Sequence, residues 1–146
     1  MSVRADKAVS LFKSGYNCSQ SVVLAYCDLL NIDARQAAQM ACGLGAGLGR
    51  MREVCGAVSG MALLAGCKHS GAEPDPVAKK KTYEAVQAMS EEFRKKNGSI
   101  ICRQLLGLEK AEHDPTPSER NVEYYKKRPC SEYVADAAKL VESYLL

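Results

Sequence analysis

Apolar positions along this chain recur at helical spacing, and no segment shows convincing period-two alternation. Residues Val3 to Lys13 place Ala8, Val9, Leu11 and Phe12 on a first helix, and Gly15 is a helix stop. Asn17, with Gln20 three residues on, has the pattern of a capping box. It predicts a second helix from Cys18 to Leu30, with Val22, Val23, Tyr26, Leu29 and Leu30 on one side. Asp33 caps a third helix through Ala37, Ala38 and Met40 to about Cys42. After Gly43, Gly45, Gly47 and Gly49, an apolar helix is expected from about Glu53 to Gly66. Cys67 to Pro76 is polar and reads as a loop. Asp75 and Pro76 then open a long amphipathic helix to Asn97, with Tyr83, Val86, Met89 and Phe93 inward. Ser99 opens a short helix that stops at Gly107. Residues 108–128, with Pro115 and Pro117, read as an irregular excursion long enough to act as a lid. Pro129 starts the last helix, with Tyr133, Val134, Ala137, Leu140, Val141 and Tyr144 on its apolar side.

The pattern predicts an all-α fold: one domain over residues 1–146, a bundle of about six to seven helices. Composition supports this. At 47% apolar and 25% charged, the chain is not disordered by composition. Aromatics are only 6% with no Trp, so Ala, Leu, Val and Met must build the core. Twenty basic against seventeen acidic residues give +3, too little to argue for nucleic acid without a clustered basic face. The nearly uncharged stretch Val54 to Cys67 is too short to span a bilayer. Arg4, Asp6 and Lys7 interrupt any apolar leader, so a cytoplasmic location is expected.

Seven cysteines change the picture. The number is odd, and reduced thiols in such a compartment point to metal or redox chemistry more than to structural bridges. Cys18, Cys55, Cys102 and Cys130 fall at or near expected helix N-termini. There the positive dipole end and unpaired amides are expected to lower a thiol pKa. Cys27, Cys42 and Cys67 are expected to be small buried hydrophobes. Gly56 and Gly60 share a helix face and are expected to admit close approach, of a second cysteine-bearing helix or of a bound group. That face is also a candidate dimer surface. Arg50 and Arg52 either stabilise a thiolate or an anionic substrate, or are solvated charges. The glycine run is not a phosphate loop, because no strand precedes it and no Gly-Lys-Ser/Thr follows. No C-x-x-C occurs, which argues against thioredoxin-like and zinc-ribbon motifs.

Cys55-Gly56-Ala57-Val58-Ser59-Gly60 resembles the central motif of the C_GCAxxG_C_C family of bacterial and archaeal proteins, described as redox-active. Cys18 upstream and Cys102 and Cys130 downstream match the family's framework in order, and the glycine-rich lead-in and Arg128-Pro129-Cys130 are similar to it. The resemblance implies redox chemistry at these four cysteines. Three functions follow as expectations. One is thiol redox, with Cys55 as nucleophile or relay thiol and Cys18, Cys102 or Cys130 as resolving partner, serving an unknown redox partner. Another is a metal site using Cys18, Cys55, Cys102 and Cys130, with an iron–sulfur cluster favoured over zinc. The third is a non-catalytic helical interaction module.

Overall fold

A computed structural model of the chain describes residues 2–108 and 113–146. Among the described residues there are eight helices and no strand: α1 Val3–Lys13, α2 Cys18–Leu24, α3 Ala34–Cys42, α4 Gly56–His69, α5 Pro76–Asn97, α6 Cys102–Leu105, α7 Val122–Lys127 and α8 Cys130–Leu145. The fold is all-α, as the periodicity predicts.

Most ends follow their cap residues. The Ser2 side chain accepts from the Ala5 amide at the start of α1. Asn17 and Gln20 form the reciprocal capping box of α2, and Asp33 caps α3 through the amides of Arg35 and Gln36. Asp75 caps α5, and Gly98 at φ 93° ends it in the left-handed conformation. Three boundaries differ from the expected ones. The second helix stops at Leu24 rather than Leu30, and Leu29 is exposed. The fourth begins at Gly56, not Glu53. The sixth begins at Cys102, because Ser99 turns its hydroxyl oxygen to the Ile101 amide instead of capping a helix. A helix missed by the sequence reading, α7, lies inside the 108–128 excursion and is capped by Asn121. Residues 109–112 of that excursion lie outside the described residues.

Helix α4 sits at the centre and packs on α2, α5 and α8; α8 in turn packs on α1, α2 and α5. The core is aliphatic with a few large side chains, Tyr26, Phe93, Met61, Leu64 and Met89 among them. The buried Tyr26 hydroxyl donates to the Ala138 carbonyl at 2.6 Å, tying the end of α2 to α8. Without that partner the hydroxyl would be a costly buried polar group. Expected core positions Met40, Tyr83 and Tyr144 are instead exposed, while Leu145 is buried. No described helix is long and apolar enough to cross a membrane.

The α2–α4 crossing is tight for a reason written in the sequence. A Cβ on Gly60 would lie 3.0 Å from Val22 Cβ and 3.1 Å from the Ser19 carbonyl oxygen. One turn earlier, a Cβ on Gly56 would overlap the Cys18 sulfur. Both glycines are buried inside the chain, so this face is not available as a dimer surface.

Candidate functional site

All four framework cysteines stand at helix starts. Cys18 is the first residue of α2, Cys55 the N-cap of α4, Cys102 the first residue of α6 and Cys130 the first of α8. They line one small cavity of about 70 Å³, whose remaining wall includes Phe12, Leu105, Leu106, Tyr124 and Tyr133.

Two backbone devices bring the thiols together. The first is the glycine notch, which seats the Cys18 sulfur on Gly56 beside Cys55. The second is an isolated antiparallel bridge between Val54 and Ile101. Across it the Cys55 amide donates to the Ile100 carbonyl at 2.8 Å, and the Cys102 amide to the Glu53 carbonyl at 2.6 Å. An Arg103–Glu53 ion pair at 3.0 Å flanks the bridge. No period-two pattern announces a one-residue bridge, so the sequence offered no signal for it.

The glycine run coils the wrong way for L-residues. Ala46, Leu48, Arg50 and Arg52 all have φ between 53° and 68°, and Gly47 and Gly49 lie in the same region. Each non-glycine residue held there costs roughly 1–2 kcal/mol. Bonds from the amides of Gly49 to Gly43 and of Glu53 to Gly47, both 2.8 Å, hold the coil. Such strain clusters where positioning matters. Here it drives Arg52 inward until it is 5% exposed, with its guanidinium 3.8 Å from the Cys102 sulfur. Arg52 is thus not a solvated charge.

Burial, not the helix dipole, governs these thiols. The Cys55 thiol is pushed well above its usual range by burial, then by Cys18; the amides of Ala57 and Val58 pull the other way and lose. Cys102 is raised by burial, against the pull of Arg52. Cys130 is pushed up to about 12 by burial, then by Cys18 and Cys102, with Arg128 and Arg52 opposing. The expected lowering is therefore overturned for these three. Cys18 is the electrostatic neighbour common to the other three.

The remaining cysteines divide. Cys27 is buried and donates to the Val23 carbonyl at 3.4 Å, as a small core residue does. Cys42 and Cys67 are exposed, contrary to expectation, because both fall at the open ends of their helices. His69 is half-buried at the end of α4, and His113 is exposed.

The excursion supplies residues the sequence reading missed. Arg120 donates to the carbonyls of Phe12 and, at 2.9 Å, Tyr16, and lies over the Phe12 ring at 4.2 Å. It and Tyr124 close one side of the thiol cavity. Only the Asn121 cap pattern hinted at order here. Outside the cavity lies a cleft of about 370 Å³ that shares Arg52, Arg120, Tyr124 and Cys130 with it.

Residues 16–144 match the C_GCAxxG_C_C family, described as "Putative redox-active protein". No curated protein matches the chain. No solved structure matches it either.

Proposed function

The chain belongs to the C_GCAxxG_C_C family, and on that footing we propose that its four framework cysteines form a dithiol redox centre exchanging electrons with disulfides. The observation that carries this reading is the convergence of Cys18, Cys55, Cys102 and Cys130 on one small cavity.

Cys130 is the one framework cysteine that lines both the cavity and the outer cleft, so it meets the incoming disulfide. Its thiolate attacks one sulfur of the substrate. A mixed disulfide forms, and the first substrate sulfur leaves as a thiolate and takes up a proton. Cys18, which shares the cavity with Cys130 and acts on it electrostatically, then attacks the Cys130 sulfur and releases the second substrate thiol. Two protein thiols have become one disulfide; one substrate disulfide has become two thiols. Cys55 and Cys102 lie behind and can accept the bond by internal exchange. Arg52 and Arg128 are the cations that favour the attacking thiolate.

The test is oxidation of the reduced protein by 2-hydroxyethyl disulfide, followed by alkylation of free thiols and peptide mapping. The expected product is a Cys18–Cys130 disulfide, and Cys130→Ser should leave the oxidation rate at the background of Cys42 and Cys67. Framework thiols that stay free after complete reaction of Cys42 and Cys67 would remove the reading.

The same cavity favours a second reading, a metal or iron–sulfur site. Four thiolates are the right donor type for either. The arrangement fits it less well. Among the described residues, no three His, Cys, Asp or Glu side chains are gathered closely enough to hold a metal ion. No step is therefore routed through a metal. Anaerobic purification, a visible spectrum and metal analysis decide the matter. Bound iron or zinc lost in Cys55→Ser would replace the dithiol reading.

A further inference from the structure

The outer cleft is lined by four arginines: Arg50, Arg52, Arg120 and Arg128. None of its described lining residues is Asp or Glu. A chain of net charge +3 has thus gathered four arginines around its thiol cavity, of which Arg50 and Arg52 are engaged with other groups. Arg120 spends its hydrogen bonds on backbone carbonyls and its face on the Phe12 ring, partners that leave its charge uncancelled. Arg128 makes no ion pair among the described residues, and its field reaches Cys102 and Cys130. The nearby Asp114 accepts from the Thr116 amide at 3.0 Å, and its carboxylate also feels Arg50, so it offsets part of that one charge. Arg50 ties the overlying segment down through the Asp114 carbonyl at 2.9 Å and Ser118 Oγ at 3.1 Å. The result is a concave site at the small end of the range for small-molecule pockets, about 300–1,000 Å³. Its volume of about 370 Å³ suits a compact molecule rather than a protein surface.

Charge and chemistry in one place specify a class of substrate. We propose that this cleft binds a small-molecule disulfide bearing carboxylates, with a carboxylate on Arg128, the Arg120 charge beside it, and its sulfurs presented to Cys130. The proposal rests on the dithiol reading for the reaction, but the anion site stands on its own geometry. The Arg128 fork can match a carboxylate two bonds at a time, which fixes orientation as well as affinity; Arg120, with its N–H groups already on the Phe12 and Tyr16 carbonyls, adds its charge. Their field also raises the local concentration of an anion next to thiols that are seldom ionised. The strained coil carries two of the four cleft-lining arginines, Arg50 and Arg52.

Three disulfides of nearly equal length separate charge from reactivity: 3,3′-dithiodipropionate (dianionic), 2-hydroxyethyl disulfide (neutral) and cystamine (dicationic). The measurement is the rate of framework-thiol oxidation at low and high salt, in the natural chain and in Arg128→Gln. The expected order is dianion, neutral, dication, with about tenfold or more between the extremes at low salt. Both high salt and Arg128→Gln should shrink that ratio several-fold. Equal rates for all three reagents would overturn the proposal and leave the dithiol reading standing. A redox-inert arm uses suberate, the all-carbon counterpart of dithiodipropionate, in calorimetric titration. Saturable binding, weakened in Arg128→Gln and absent with 1,6-diaminohexane, supports the site even if no disulfide reacts; that combination would remove only the dithiol reading. Failure of suberate to bind at low salt overturns the proposal.

Discussion

A thiol at a helix N-terminus in this protein feels two opposed effects, and their sizes decide the outcome. The dipole and its free amides are worth about 0.3–1 kcal/mol, rising to about 2 in partly buried geometry. Burial can move a pKa by up to about 3–5 units, at about 1.4 kcal/mol each. Desolvation therefore wins at Cys55, Cys102 and Cys130, and their neutral forms are the stable ones. The sign for stability follows. Cys130 titrates near 12 in the fold but near 8.5–9 when unfolded. Below the unfolded value both states hold the proton, and the contribution is fully present. Above it the unfolded chain ionises first, and stability is lost as pH rises toward the folded value. Urea unfolding under reductant should show stability level from pH 7 to 8. It should then fall by about 1.4 kcal/mol per pH unit for each such thiol. Cys130→Ser should fall less steeply between pH 8.5 and 9.5, below the tyrosine range; identical slopes would contradict the assignment.

Elements meet here through absent side chains. Two glycines of α4 invite comparison because their surroundings differ. Gly56 lies against the Cys18 sulfur, 3.1 Å from the Leu44 carbonyl oxygen and 3.2 Å from Gly45 Cα, measured from where its Cβ would be. Gly66, on the same helix, has nothing within 4 Å. Gly56→Ala must move either the thiol or the glycine coil, so it should destabilise by about 1–3 kcal/mol. It should also change the alkylation rate of Cys18. Gly66→Ala should stabilise by about 0.5–1 kcal/mol, since an interior helical glycine is entropically costly. Thermal melts of the two variants give opposite shifts if α2 and α4 cross as described, and shifts of the same sign if they do not.

At the scale of the whole molecule, the site is where the beginning, middle and end of the chain meet. A disulfide between Cys18 and Cys130 would join α2 to α8 across nearly the full sequence. Closing a loop of that length lowers the entropy of the unfolded chain, by about 4–5 kcal/mol in the loop-closure account. The oxidised protein should therefore unfold at higher denaturant than the reduced one. The gain should vanish in Cys130→Ser. An oxidised form no more stable than the reduced one would argue for a strained bond or a different pairing.

Much of this protein was legible from residue order because its determinants are local. Helical periodicity and side-chain caps at Asn17, Asp33 and Asp75 act over three or four residues, so elements and several termini could be read directly. The cysteine framework, too, could be matched as a string. Three things could not. The Val54–Ile101 bridge, the arginine-lined cleft and the α7 wall arise from contacts between segments far apart in sequence. The thiol pKa values depart from the local expectation for the same reason. A helix start is a local feature, but burial is set by every element packed around it, and burial is the larger force. Local order thus decided which residues stand at helix ends, while tertiary packing decided that four of them share one cavity with arginines around it.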